Sequence, residues 1–330
     1  MFGVRRRSFI TLLGGAAAAW PVAARAQQAV PRRTYRIGSI SLAVGPSTPD
    51  EGFRKGLHDL GYREGYDIIF ISRWAAGNQG RLGGLVEELL SLNVDVIVSG
   101  TTEAILAVRR INQTIPIVMT TTSDPIGSGL IASLARPGGN TTGVTQFSTD
   151  LVGKRVEILH ELVPTIKQLA VLAYWPHPPT EQLFREAEDA AKVLGLKLQL
   201  LKAGGFEEIE SAFEAMARER ADGVIVQSNA VWNRHLRQVA DLANKRRLPV
   251  IHESADFPRA GGLISYGPDR YDLGRRAAIY VDKIFKGAKP PDLPVEQPVK
   301  FEMVINRGAA KTIGITIPQS IEVRADEVIE

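Results

Sequence analysis

The 330-residue chain contains no cysteine. That excludes a disulfide framework and a cysteine-borne lipid anchor. Stability must then come from core burial, which a chain of this length can supply. Histidine is scarce as well: His58, His160, His177, His235 and His252 are scattered, and no two have metal-ligand spacing on one helix face. There is no G-x-S-x-G elbow, H-E-x-x-H pair, P-loop or G-x-G-x-x-G. Gly127-Ser128-Gly129 supplies only the opening of a dinucleotide fingerprint. A serine nucleophile would need a base brought to it by folding. The expectation is a protein that is not an enzyme and uses no cofactor or metal.

Basic excess is the next absence, once the N-terminus is set aside. The formal charge is +4, but residues 1–26 carry four arginines and no acid, which leaves 36 residues of each sign. No surplus remains to neutralise phosphates, so no nucleic-acid partner is expected. The first 26 residues place Arg5, Arg6 and Arg7 before an apolar run from Phe9 to Trp20, then Ala24 and Ala26 at the small positions of an A-x-A site. This is the layout of an export signal cleaved after Ala26, with an apolar run too short to span a bilayer comfortably. Arg6-Arg7-Ser8-Phe9-Ile10 resembles the twin-arginine pattern, although general secretory signals also carry paired arginines. The expected product is periplasmic, monomeric and without a stable membrane anchor.

What is present is alternation. After a tether at 27–33, apolar β-rich runs at 35–42, 67–74, 94–100, 115–121 and 141–147 alternate with helical patterns at 50–60, 80–92, 102–112 and 127–135. The third and fourth runs are almost wholly apolar, as in a parallel strand covered on both faces. A second set of strand patterns follows at 168–175, 196–203, 221–228, 248–253 and 261–267. Helical patterns fill the gaps, with Ile209, Phe213 and Met216 at core spacing. The fold class expected is α/β, as two doubly wound parallel-sheet lobes. A strand at 299–305 and a helix from Asn306 cannot form a lobe, so the chain should cross between lobes more than once. The expected division is 34–147 with about 266–290 in the first lobe, and 148–265 with about 291–330 in the second.

Ligands of open α/β sheets lie beyond the carboxyl ends of the strands. In the first lobe those positions hold Ser39, Ser41, Ser99, Thr101, Thr102, Thr122, Ser123 and Asp124. Thr101 or Thr102 should open a helix, either as a cap or as a ligand contact at a helix N-terminus suited to a carboxylate. Asp124-Pro125 reads as a helix start. In the second lobe Tyr174, Trp175, Trp232, Phe257 and Tyr266 fall at or near strand ends. Such aromatics can wall an apolar ligand body, although Trp175 and Trp232 can equally pack under loops. Hydroxyls facing aromatics would suit a small organic acid.

The stretches "SDPIGSGLIASLARPGGNTTGVTQF" (123–147), "GKRVEILHELVP" (153–164), "AGGLISYGPD" (260–269), "YVDKIFKGAKPPDLPVEQPVKFEMVIN" (280–306) and "IGITIPQSIEVRADEVIE" (313–330) carry a resemblance. With the signal segment, they resemble ABC-transporter substrate-binding proteins of the tryptophan/tyrosine-binding type, which have the type I periplasmic binding fold. The resemblance implies capture of a small organic solute by closure of two hinged lobes, then delivery to an ABC permease driven by its ATPase subunits. A sensor presenting its ligand to a membrane receptor would share the fold. Carried over by position, the contacts are Ser41, Thr101, Thr102, Thr122 and Ser123 in one lobe. In the other they are Tyr174, Ser228, Asn229 and Glu253, with Tyr266 near the hinge. Members often have Asn-Pro-Asn where this chain has Tyr174-Trp175-Pro176, and many have an Asp where it has Asn229. Without that Asp the reading leans towards an acid lacking an amine, with Glu253 or Asp256 as other sources of negative charge.

Overall fold

A computed structural model describes residues 33–146 and 151–330. The expected export signal and most of the tether lie outside the described residues. The first lobe runs β1 (Tyr35–Ser41), α1 (Thr48–Asp59), β2 (Ile68–Trp74), α2 (Leu82–Ser91), β3 (Val96–Ser99), α3 (Thr102–Ile111), β4 (Ile117–Thr122) and β5 (Thr141–Thr145). The second begins with α4 (Val152–Leu162), β6 (Gln168–Tyr174), α5 (Thr180–Val193), β7 (Lys197–Ala203), α6 (Phe206–Arg218) and β8 (Gly223–Val226). It continues with α7 (Leu236–Lys245), β9 (Val250–His252), α8 (Asp256–Arg259) and β10 (Ile264–Pro268). Then come α9 (Arg270–Phe285), β11 (Phe301–Asn306), α10 (Arg307–Ile313), α11 (Gln319–Glu322) and β12 (Glu327–Ile329).

The first sheet has the order β2-β1-β3-β4-β5, all parallel. The second has the order β12-β11-β10-β9-β8-β6-β7. Both are doubly wound, and each changes direction beside its first strand, where the loops diverge and leave a crevice. The second sheet is not wholly parallel: β11 runs antiparallel to β10, with Pro268 opposite Phe301 and Ile264 opposite Ile305. The geometry demands this. The chain leaves the second sheet at the carboxyl end of β10, visits the first lobe and returns at that same end. β11 must therefore run away from the crevice.

That excursion was expected over 266–290. In the structure β10 keeps residues to Pro268 in the second sheet, and the returning segment stays on the first lobe as far as Glu296. Thr142 Oγ1 donates to the Leu293 carbonyl (2.6 Å), Val295 N–H to Leu134 O (2.8 Å), and Glu296 N–H to Gly143 O (3.0 Å). The last of these, with Thr145 N–H donating to Glu296 O (3.0 Å), satisfies the outer edge of β5, which would otherwise be an unpaired edge strand. Within the excursion α9 lies against α1 at short range. A Cβ on Gly52 would collide with the Tyr271 carbonyl oxygen, one on Gly274 with that of Pro49, and one on Gly56 would lie 2.6 Å from Arg275 O.

Helix α6 buries Ile209, Phe213 and Met216 completely, as their spacing implies. Removal of one such side chain from water contributes about 1.5–3 kcal/mol. The helix expected at 127–135 is absent. Asp124 Oδ1 accepts from Gly127 N–H (2.7 Å), and Gly129 takes φ +68°. The side-chain bond closes a local turn, and the left-handed residue stops any helix from propagating. Leu130 and Ile131 are buried by this loop instead. Among the described residues, no helix is long and apolar enough to cross a membrane.

Candidate functional site

The crevice between the lobes encloses a polar cavity of about 90 Å³. Its first-lobe wall is made by the ends of β1, β3 and β4. Ser41 Oγ and Thr101 Oγ1 are 3.2 Å apart, and Ser99 Oγ accepts from Thr101 N–H (3.1 Å). Thr101 is the N-cap of α3 but makes no side-chain cap. Its hydroxyl therefore stays available, and the first turn of α3 presents N–H groups and the positive end of its dipole. Between β3 and α3, Gly100 has room for no side chain. A Cβ there would meet the hydroxyls of both Thr120 and Thr121. Two successive strand residues reach one side because the register of β4 against β5 shifts between Met119 and Thr122.

The opposite wall comes from loops after β6 and β8 and from the start of α9. Ser228 N–H donates to Glu253 Oε1 (2.9 Å), and Asn229 Oδ1 accepts from Val231 N–H (2.8 Å). With its amide turned to donate to Ser228 Oγ (3.0 Å), Asn233 accepts from Arg270 Nη1 at 3.1 Å. Arg270 has no carboxylate partner among the described residues, and its buried Nε lacks any acceptor. A guanidinium with spare donors at a cavity wall is a ready carboxylate site.

Several contacts among the described residues join the lobes, and apolar side chains of both lobes form one continuous buried cluster. His177 Nδ1 and Glu103 Oε1 are 2.7 Å apart, both residues being under 9% exposed. Thr48 Oγ1 lies 3.3 Å from Asp256 Oδ2, and Gln79 Nε2 donates to Pro176 O (3.4 Å). Gly77 sits against Val231. The crevice is therefore closed. A paired Glu and His also occur in hydrolytic triads, but no hydroxyl bonds His177 among the described residues. Nor do the described residues contain a group of three or more His, Asp or Glu placed to hold a metal ion.

Of the positions expected from sequence, Ser41, Thr101, Thr102, Ser123, Ser228 and Asn229 line the cavity. Six do not. Thr122 turns into the lobe, its hydroxyl 3.4 Å from the Met119 sulfur, because the register shift sends it to the other side. Tyr174 is buried edge-on against Trp232, with ring centroids 5.7 Å apart, and both rings belong to the core beneath the loops. Burial also raises the Tyr174 hydroxyl pKa. Trp175 lines a neighbouring groove. Glu253 lies under the wall, 3.3 Å from Arg155 Nη2, and both side chains are within 3% of full burial. Tyr266 stacks on Phe301, and its carbonyl accepts from Arg155 Nε (2.8 Å). Tyr174, Trp232 and Tyr266 are thus core and hinge packing, and of these four expected aromatics only Trp175 faces a groove. Burial lowers the Arg155 pKa from its ordinary value, against the attraction of Glu253.

Residues missed in the sequence include Thr120, Thr121, Glu103, His177, Gln146, Asn233 and Arg270. One signal was available for Arg270. It follows the helix cap Asp269, and a cation at a helix N-terminus opposes the dipole, so its position needs a reason outside the helix. Glu103 and His177 carried no such signal, because they meet only across the closed crevice.

A family model described as ABC transporter substrate binding protein matches residues 45–329. The chain is 24% identical over 284 residues to the tyrosine-binding protein of Clostridioides difficile (strain R20291), spanning 86% of this chain and 81% of that protein. It is similar in structure to a conserved domain protein from Vibrio cholerae O1 biovar eltor str. N16961, with 28% identity and a TM-score of 0.85. An ABC domain in complex with L-Trp from Streptococcus pneumonia is also similar, with 26% identity and a TM-score of 0.83. Both of these alignments cover 90% of this chain and all of the other.

Proposed function

Because the chain belongs to the family of ABC transporter substrate-binding proteins, we propose that its crevice captures a small organic acid of the amino-acid or aromatic carboxylate type. The observation that carries this is Arg270, a cation without a carboxylate partner among the described residues, at the wall of a hydroxyl-lined, closed cavity. The solute carboxylate bonds Arg270 and the hydroxyls and N–H groups around the start of α3. Binding energy drawn from both walls favours the closed state, since only there do both walls reach one ligand. The closed complex then delivers the solute to a membrane permease and its ATPase subunits. Export through the N-terminal segment, by the twin-arginine route with cleavage after Ala26, places a monomer in the periplasm for this task.

The relatives that bind tyrosine and L-Trp support an acid that also carries an amine. Asn229 brings no negative charge, but Glu103 does, and its buried Oε2 has no hydrogen-bond partner among the described residues. An ammonium or another donor on the solute would satisfy it.

The test is a thermal-shift screen of L-amino acids and aromatic carboxylates on the wild-type protein and on Arg270→Gln. A ligand that binds only the native state raises the melting temperature. Loss of a hydrogen bond to a charged group is worth about 1.5–3 kcal/mol, so Arg270→Gln should weaken carboxylate binding by about tenfold or more. Equal affinity in the variant would remove Arg270 from the site. No shift with any acid would overturn the proposed ligand class.

A further inference from the structure

Beside the polar cavity lies a second compartment, a groove of about 530 Å³. Its apolar lining is Leu82, Leu106, Trp175, Pro176 and Pro178, and the two compartments share Glu103 and His177 as walls. Leu82 and Leu106 belong to the first lobe, whereas Trp175 and the prolines belong to the second. The groove therefore has both sides only when the lobes are closed, as the ligand cavity does. Small-molecule pockets usually measure roughly 300–1,000 Å³. The polar cavity alone, at about 90 Å³, falls well below that range, and the groove falls within it. The polar cavity has no Phe, Tyr or Trp in its lining, whereas Trp175 is 41% exposed in the groove, with the Lys202 ammonium 3.9 Å from its ring centroid.

On the reading of the crevice as a carboxylate site, we infer that the solute is an amphiphilic acid that occupies both compartments. Its carboxylate sits in the polar cavity, a donor next to the carboxylate meets the unpartnered Glu103 Oε2, and its apolar body passes the Glu103–His177 pair into the groove against Trp175 and Leu106. Trp175 and Leu106 are then specificity residues that read the body and leave the head alone. The aromatic contact expected from sequence at Trp175 is in this way regained, but outside the polar cavity. The volume of the groove, about 530 Å³, also admits bodies larger than a single ring.

Isothermal titration of the wild-type protein with L-alanine, L-phenylalanine, L-tryptophan and 4-phenyl-L-phenylalanine varies the body at constant head. Affinity should rise by at least about tenfold from L-alanine to the largest member, as expected for burial of that much apolar surface. Trp175→Ala should remove about fivefold or more of the gain for the aromatic members and leave L-alanine unchanged. Leu106→Ala, tested in parallel with an unfolding midpoint for each variant, should do the same if Trp175→Ala proves unstable. 3-Phenylpropionate should bind more weakly than L-phenylalanine in the wild type and equally with it in Glu103→Gln. Flat affinity along the series, or variants that weaken every member equally, would overturn the two-compartment reading while the carboxylate site stands. Binding by no member would overturn both.

Discussion

Thr120, Thr121 and Thr122 are identical in sequence and unlike in place. The first two crowd over Gly100 at the cavity, while the third meets the Met119 sulfur inside the lobe. Strand alternation puts neighbours on opposite faces, and only a break in register changes that. His252 shows a different consequence of burial at one residue. It is fully enclosed at the end of β9, with Nδ1 accepting from Ser254 N–H (2.9 Å). Burial first, then the field of Arg155, pushes its pKa down to about 3. The unfolded imidazole titrates near 6.5, so between those values only the unfolded chain takes up the proton. The stability contributed by this neutral histidine is complete above about pH 6.5 and is lost as pH falls towards 3, by about 1.4 kcal/mol per unit. Glu302 acts oppositely. Burial raises its carboxyl to about 6, so its contribution is present below its ordinary value of 4.5 and is lost as pH rises through 6. In urea titrations, His252→Asn, which keeps an acceptor for Ser254, should lose about 2 kcal/mol less than wild type between pH 6.5 and 4.5. Parallel curves for the two proteins would contradict the assignment.

Helices α1 and α9 pack through glycine, and their N-termini deliver Ser47, Asp50 and Arg270 to the cavity. At the start of α1, Asp50 Oδ2 accepts from both Ser47 N–H (2.8 Å) and Ser47 Oγ (2.7 Å), which fixes that turn. The close approach of the two helices thus sets where the guanidinium stands. Gly52→Ala would place a methyl against the Tyr271 carbonyl, one residue beyond Arg270. Overpacking of this kind costs about 1–3 kcal/mol and forces the elements apart. The expected outcome is a lower melting temperature together with weaker binding of the acid. Gly45→Ala, where nothing lies within 4 Å, serves as the control with neither effect. If Gly52→Ala loses stability at unchanged affinity, α9 does not position Arg270 through this contact.

At the scale of the molecule, the chain passes between the lobes after Gln146, at Asp269 and at 297–300, and the lobes are held shut by contacts that include those of Thr48, Gln79, Gly77 and Glu103. The bonds of Thr48 and Gln79 are single polar contacts, each worth roughly 0.5–1.5 kcal/mol net. Addition of L-tryptophan should reduce the radius of gyration in solution X-ray scattering. At a hundred times its dissociation constant it should stabilise the fold by about 2.7 kcal/mol. Saturation without any contraction would mean that the free protein is already closed, and that capture does not proceed by lobe closure.

The sequence by itself determined the two β/α halves, because apolar periodicity is local and survives without coordinates. It determined the core role of Phe213 and Met216 and the row of hydroxyls at strand ends for the same reason. It did not determine the loop at 127–135, where Asp124 bonds Gly127 and Gly129 adopts a left-handed φ in competition with an amphipathic helical pattern. Nor did it separate the aromatic residues that pack from the one that faces a groove. Tyr174, Trp232 and Tyr266 lie at strand ends just as Trp175 does, and only packing between elements decides which ring is covered. Glu103, His177 and Arg270 are far apart in the chain and come together through closure and the excursion of α9. Such a constellation has no period and no spacing, so tertiary structure alone could create it.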